Sequence, residues 1–311
     1  MDEFDWIARY LAPIAKSKEA LGLLDDVALL APESRKRIIT QDAIAEGVHF
    51  LPETPLGAIA TKLVAVNASD IHAKGAICTH ALLTLGWPAA LKDADMEAFA
   101  AAFQVALSDV GALLLGGDTT RSKSGLFASL TMIGECLGPS PILRCGAKKG
   151  DDVWVSGEIG HGLVGLADAR AGHETTSARH YHRPEVTSRD VAGLIGRYAT
   201  ASMDISDGLL ADCQKLTTAS QVGIEIELSD IRFADPEEAR FTLLAQCTGG
   251  DDYKALFCAS ALDRKTLESA ADQSAPGLHR IGTVTQARNL RLLKSGDVVD
   301  LPHRLGFSHG Q

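Results

Sequence analysis

The sequence predicts an α+β fold of two domains, with mixed or antiparallel sheets flanked by helices. Three observations carry that expectation. At 311 residues the chain is long enough for two ordinary domains. A hydrophobic content of 46% suits a protein with a real core. Short apolar runs joined by turn-like segments alternate with stretches of helical periodicity, which favours hairpins mixed with helices over a repeated parallel βαβ array.

Taken in order, the elements begin with "MDEFDWIARYLAPIA", where Phe4, Ile7, Ala8, Leu11 and Ile14 share one helical face. That acidic, amphipathic pattern reads as a packing helix and not as a signal peptide. In "LLDDVALLAPESRKRIITQD" two apolar runs flank "APESRK", the pattern of a β-hairpin. "AIATKLVAVNASDIHAKGA" reads as helix through its middle and "HALLTLGW" as a buried strand. "DADMEAFAAAFQVALSDVG" sets Met96, Phe99, Phe103, Leu107 and Val110 at helical spacing and stops at Gly111. "ALLLGGDTT" and "LFASLTMIGECLG" read as strands. The polar, glycine-bearing "LRCGAKKGDD" (143–152) marks a domain boundary, giving domains of 1–145 and 146–311. Beyond it come the strand "DVWVSGEI", a helix starting near "DISDGLLADCQKLTTAS", and the strands "GIEIELS" and "YKALFCAS". The tail after Leu301 reads as irregular.

Charge and cysteine usage exclude several functions. The net charge of −10, with no lysine/arginine run longer than Arg35-Lys36-Arg37, argues against a nucleic-acid surface. No apolar stretch approaches membrane-spanning length. The six cysteines stand apart with no Cys-x-x-Cys pair, which gives zinc ribbons and thioredoxin-type chemistry little support and points to a reduced, cytoplasmic protein.

Acids recur in one kind of place. Asp25, Asp26, Asp42, Asp70, Asp118, Asp204, Asp251 and Asp252 mostly sit where an apolar segment gives way to a loop, beside glycine or a hydroxyl residue. Each alone reads as a turn former or helix cap; Asp204, for instance, could cap the helix that follows it. The recurrence suggests more. Asp204, Ser206 and Asp207 crowd into five residues of "DISDG", and carboxylates that close repel unless a cation lies between them. Converging acids would form an all-oxygen cage, suited to magnesium and, through magnesium, to nucleotide phosphates. Ser206, flanked by acids, reads as a ligand or hydrogen-bond donor.

Other motifs are decoys. "GHGLVG" (160–165) fits G-x-G-x-x-G, but no second strand ending in an acid follows, so it reads as a strand-to-helix turn. There is no P-loop and no G-x-S-x-G elbow. His180 and His182 lack companions for a metal site and read as surface residues.

Along nearly its whole length the chain resembles the thiamine-monophosphate kinase family, of the aminoimidazole-ribonucleotide-synthetase superfamily. The resemblance lies in the order of "LLDDVALL", "TQDAIAEGVHF", "KLVAVNASDIHAKGA", "LLLGGDTTR", "RCGAKKGDDVWVSG", "MDISDGLLAD", "GGDDYKALF" and "GFSHG". It implies two α/β-type domains: an amino-terminal metal- and ATP-binding domain that pairs into a homodimer, and a carboxy-terminal domain closing the active site. It implies direct transfer of the ATP γ-phosphate to thiamine monophosphate, with several Mg2+ ions and no phospho-enzyme. Carried over by position, Asp26, Thr40, Asp42, Asp70, Asp118, Asp204 and Asp207 form the metal set, joined by Gln41 through its oxygen, with Asp118 and Asp207 central to catalysis. Gly117, Asp118, Arg144 and Ser206 would face ATP, and His49, Asp251 and Phe307 would hold thiamine.

Three positions depart from the family pattern: Leu24 replaces a glycine, Gln41 a Ser/Thr, and "GGDD" stands for G-G-E-D. A selenophosphate-synthetase-like sibling would carry an amino-terminal cysteine, whereas the first here is Cys78. A hydrogenase-maturation relative would carry a cysteine tail. A non-catalytic nucleotide or thiamine-phosphate sensor would have no need of the full acid set.

Overall fold

The computed structural model describes residues 7–18 and 35–307. Asp25, Asp26, Leu24 and the first strand and turn of the expected hairpin lie outside the described residues. The chain divides into two compact units, Met1–Ile71 with Ile77–Cys136, and His72–Ala76 with Leu137–Gln311. The change of unit follows Cys136, ahead of the 143–152 stretch, which is loop leading into the next strand.

In the first unit the amino-terminal segment forms a π-helical turn at Ile7–Leu11, and Leu11 and Ile14 are buried as their spacing predicts. Then come β1 (Arg37–Ala45), α1 (Leu56–Ala73), β2 (Ala76–Pro88), α2 (Asp93–Val110), β3 (Leu113–Ser122) and β4 (Phe127–Cys136). The strands form a sheet of order β1-β4-β2-β3, with β1 antiparallel to β4 and β2 parallel to β3. Helix α2 buries Met96, Phe99, Phe103 and Leu107 and ends at Gly111, whose φ of 77° lets its amide reach the last turn.

Both helices cover one face of this sheet. Trp87 of β2 meets Phe99 of α2 edge-on at 6.0 Å, and Leu83 and Leu85 are buried on that side. The other face leaves Ile39, Leu82 and Phe127 exposed.

The second unit runs β5 (Asp151–Val155), α3 (His161–Arg170), α4 (Thr176–His182), α5 (Arg189–Tyr198), β6 (Ala199–Ile205), α6 (Leu209–Ser220) and β7 (Gly223–Glu227). It continues with α7 (Leu243–Thr248), β8 (Lys254–Ser260), α8 (Arg264–Gln273), β9 (His279–Thr285), β10 (Leu290–Lys294) and β11 (Asp297–Val299). The sheet order is β11-β10-β7-β9-β5-β8-β6, mostly antiparallel with β7 and β10 parallel. Leu209, Leu210, Cys213 and Leu216 of α6 pack with Val153, Met203 and Leu256 in one core cluster. Val191 and Ile195 of α5 and Leu267 of α8 pack with Trp154 and Phe257 in the other. Burial on both faces explains why β5 and β8 read as continuous apolar runs. "GHGLVG" is the expected strand-to-helix turn, with Gly160 left-handed at φ 99° before α3. One expectation fails here: His180 is buried, because α4 folds back on α3, stacking its ring on His161 at 5.1 Å.

Candidate active site

In the first unit, alternation along β1 turns Thr40 and Asp42 toward α1. Thr40 Oγ1 donates to Asp70 Oδ2 of α1 at 2.6 Å. The Asp42 amide donates to Asn67 Oδ1 at 2.9 Å, and Asn67 is anchored through its Nδ2 to the Leu63 carbonyl. Burial, then the charge of Asp70, pushes the Asp42 carboxyl up to about 6. Among the described residues no cation pairs with either acid.

The other first-unit candidates lie elsewhere. Gln41 points away from α1, and its amide donates to Ser129 Oγ at 3.0 Å, so only its backbone can join Thr40 and Asp42. Asp118 is exposed and stands opposite Thr84 of β2, on the face away from the helices. Gly117 beside it permits the close approach of β3 to β2: a Cβ there would lie 1.7 Å from the Leu83 carbonyl oxygen. His49 sits in the tight loop after β1. Its Nδ1 accepts the Ala45 amide at 3.1 Å, and the buried Lys62 donates to its carbonyl at 2.9 Å.

The second unit gathers its candidates at one turn. Asp204 is buried near the end of β6, and Ser206 and Asp207 form the turn into α6. The N-cap of α6 is Gly208 and not Asp204. Asp212 Oδ2 reaches back from the helix to the turn and accepts the amides of Ser206, Asp207 and Gly208 at 3.0, 3.1 and 3.3 Å. Gly208, at φ 122°, has no room for a Cβ beside the backbone of Thr248 and Gly249. Lys215 Nζ bridges Asp207 at 2.5 Å and Asp212 at 2.7 Å. Burial disfavours that ammonium, but the bonds from both aspartates outweigh it and hold Lys215 above the usual lysine range.

Two distant segments close on this turn. The Asp251 amide donates to the Ser206 carbonyl at 2.9 Å and the Tyr253 amide to the Ile205 carbonyl at 2.7 Å. Both residues are left-handed, with φ of 68° and 50°. Tyr253 Oη donates to Asp251 Oδ1 at 2.9 Å. Between them, buried Asp252 accepts the amides of Gly160 and Gly162 at the start of α3. From the tail, the Phe307 amide donates to the Asp207 carbonyl at 2.9 Å, while the residue itself stays 54% exposed. Arg144 is exposed in the loop before β5, where its carbonyl accepts Ser220 Oγ at 3.0 Å.

Sequence reasoning passed over Asn67, Asp212 and Lys215. An asparagine inside "LVAVNAS" and a charged pair three apart on α6 were the available signals. No group of three or more His, Cys, Asp or Glu among the described residues forms a ready metal cage. The donors still fit magnesium. Thr40, Asp42 and Asp70 offer only oxygen, the Asp42–Asp70 repulsion is offset by no cation among the described residues, and magnesium characteristically takes one or two carboxylates with water and substrate phosphates.

Two family models match the chain: AIR synthase related protein, N-terminal domain, over residues 24–136, and AIR synthase related protein, C-terminal domain, over residues 148–294. The thiamine-monophosphate kinase of Caulobacter vibrioides is 36% identical, covering 99% of this chain and 91% of that one. Among solved structures, thiamine-monophosphate kinase from Stenotrophomonas maltophilia K279a superposes with a TM-score of 0.82 at 29% identity, covering 96% of this chain and 98% of that one. AaThiL complexed with AMPPCP and TMP gives a TM-score of 0.77 at 28% identity, covering 99% and 96%. Matched through both halves and nearly end to end, the chain belongs to the thiamine-monophosphate kinase family of phosphotransferases, within the AIR synthase related proteins.

Proposed function

We propose that the protein transfers the γ-phosphate of ATP directly onto the phosphate of thiamine monophosphate, in line and with magnesium, giving thiamine diphosphate. The observation that carries this reading is the meeting of three distant segments at the 205–208 turn. There a candidate phosphate-side acid, Asp207, lies next to the backbone anchors of two candidate thiamine contacts, Asp251 and Phe307. The relative AaThiL, complexed with AMPPCP and TMP, supports the same pair of substrates.

The candidate holders of magnesium are Asp26, Thr40, Asp42, Asp70, Asp118, Asp204 and Asp207, with Gln41 contributing through its carbonyl. Bound magnesium would neutralise and align the two phosphates, which is most of what this transfer needs. Gly117, Asp118, Arg144 and Ser206 face ATP, the first by leaving its backbone uncovered. Asp212 fixes the direction of the Ser206 and Asp207 amides. His49, Asp251 and Phe307 hold thiamine. None of the acids has to take a proton, because the acceptor phosphate is already ionised at neutral pH. The open sheet face of the first unit, with Ile39, Leu82 and Phe127 exposed, is the surface we assign to a homodimer. Six free cysteines suit a reducing, cytoplasmic setting.

The test is incubation with ATP, magnesium and thiamine monophosphate, followed by mass analysis. Thiamine diphosphate formed with one equivalent of ADP supports the reading. ATP consumed without thiamine diphosphate, or no turnover at all, counts against it.

A further inference from the structure

We propose that Lys215 sets the cation affinity of Asp207: its ammonium is a built-in counter-ion that a divalent cation must displace. The inference rests on the reading of Asp207 as a cation ligand.

The turn divides labour between the two oxygens of one buried carboxylate. Asp212 is fully buried, and its Oδ2 is committed to the amides of Ser206, Asp207 and Gly208. Its Oδ1 holds Lys215 Nζ at 2.7 Å. The lysine is therefore tethered to a fixed point. From that tether the ammonium reaches Asp207 Oδ2 at 2.5 Å, taking up one of the two carboxylate oxygens that Asp207 can offer a metal. The side chains of Asp207 and Lys215 are each 36% exposed, so water and ions reach the pair.

Ammonium and magnesium are both hard, strongly hydrated cations that prefer oxygen, and one carboxylate oxygen does not serve both at full strength. An arriving cation displaces the ammonium from Asp207 while the Asp212 bond keeps it close by. Like-charge repulsion then persists in the bound state. Across a partly wet separation of a few ångströms, this weakens cation binding by about three- to tenfold relative to a turn without the charge. In exchange, Asp207 is held in place before any cation arrives.

The test uses manganese ion alone with the full chain, read by the loss of the free-ion EPR signal. Lys215→Met removes the charge at similar length, and Lys215→Gln keeps an amide donor for Asp212. Either variant, folded by circular dichroism, is expected to bind manganese about three- to tenfold more tightly than the wild type. Unchanged or weaker binding in a folded variant overturns the proposal. So does failure of both variants to fold, which makes Lys215 a structural anchor. Asp207→Asn separates the layers. If it leaves manganese binding unaltered, Asp207 is not a ligand and the underlying reading falls. If it weakens binding while the lysine variants gain nothing, only the role of Lys215 is lost.

Discussion

Phe307→Ala is the substitution that best separates substrate recognition from packing. The residue hangs from the Asp207 carbonyl by its own amide, and alanine keeps that bond. What changes is the ring. Phe307 is 54% exposed. A phenylalanine can bury about 150–250 Å², so roughly 110 Å² is left for a ligand to cover. At about 25 cal/mol per Å², covering half of that area contributes about 1.4 kcal/mol. Stacking on a flat, cationic ring system adds about 0.5–1.5 kcal/mol. The sum, about 2–3 kcal/mol, corresponds to a rise in KM for thiamine monophosphate of tens-fold to about a hundredfold. Because the thiamine rings lie away from the reacting phosphates, the contact is equal in ground and transition states. It therefore moves KM and leaves kcat within about twofold. The assay is initial-rate kinetics with each substrate varied in turn, beside a thermal melt. KM for ATP should stay put, and the melting temperature should fall by no more than about 3 °C, since the tail lies outside both sheets. An unchanged KM for thiamine monophosphate, whatever the melt shows, refutes the reasoning and leaves Phe307 as a staple for the tail.

Asp118→Asn and Asp207→Asn should each lower kcat by at least about a hundredfold, as for loss of one transition-state charge stabiliser, with the circular dichroism spectrum retained. Near-wild-type turnover in either would remove that acid from the mechanism. Chelation should abolish activity, with magnesium or manganese restoring it and zinc doing so poorly, because the donors are all oxygen; full activity in excess chelator contradicts the metal assignment. The raised carboxyl of Asp42, at about 6 against 3.8, gives a signed pH effect. The folded chain holds a proton that the unfolded chain releases, so this contribution to stability is fully present below pH about 4 and is lost as pH rises through about 6. Melts of the metal-free protein should show that loss, added magnesium should offset it, and Asp42→Asn should flatten it.

Elements whose burial follows a simple period were legible in the sequence. Met96, Phe99, Phe103 and Leu107 mark α2, and β5 and β8 are apolar runs because helices cover both faces of their sheet. Helix α3 gave no such signal, since "HGLVGLADAR" is small and glycine-bearing on the side packed against α4 and the 249–253 loop. The acids at segment ends were visible one at a time, but the face each takes was not. A register shift between Ala81 and Leu82 affects how β3 lies against β2, and with it the side to which Asp118 points. Nothing local in the sequence announces that shift. Asp212 and Lys215 read as an ordinary helical pair, and their role emerges only once the turn before them is known to fold back over α6.

The left-handed backbone at Asp251 bears on the shorter acid found there. Asparagine and aspartate enter that conformation more readily than longer side chains, because a short polar group can bond locally. Here Asp251 meets the hydroxyl of Tyr253. A glutamate would extend further toward a ligand and sit less easily on the same peptide. The exchange therefore reads as a compromise between reach and conformational ease, made inside a single residue.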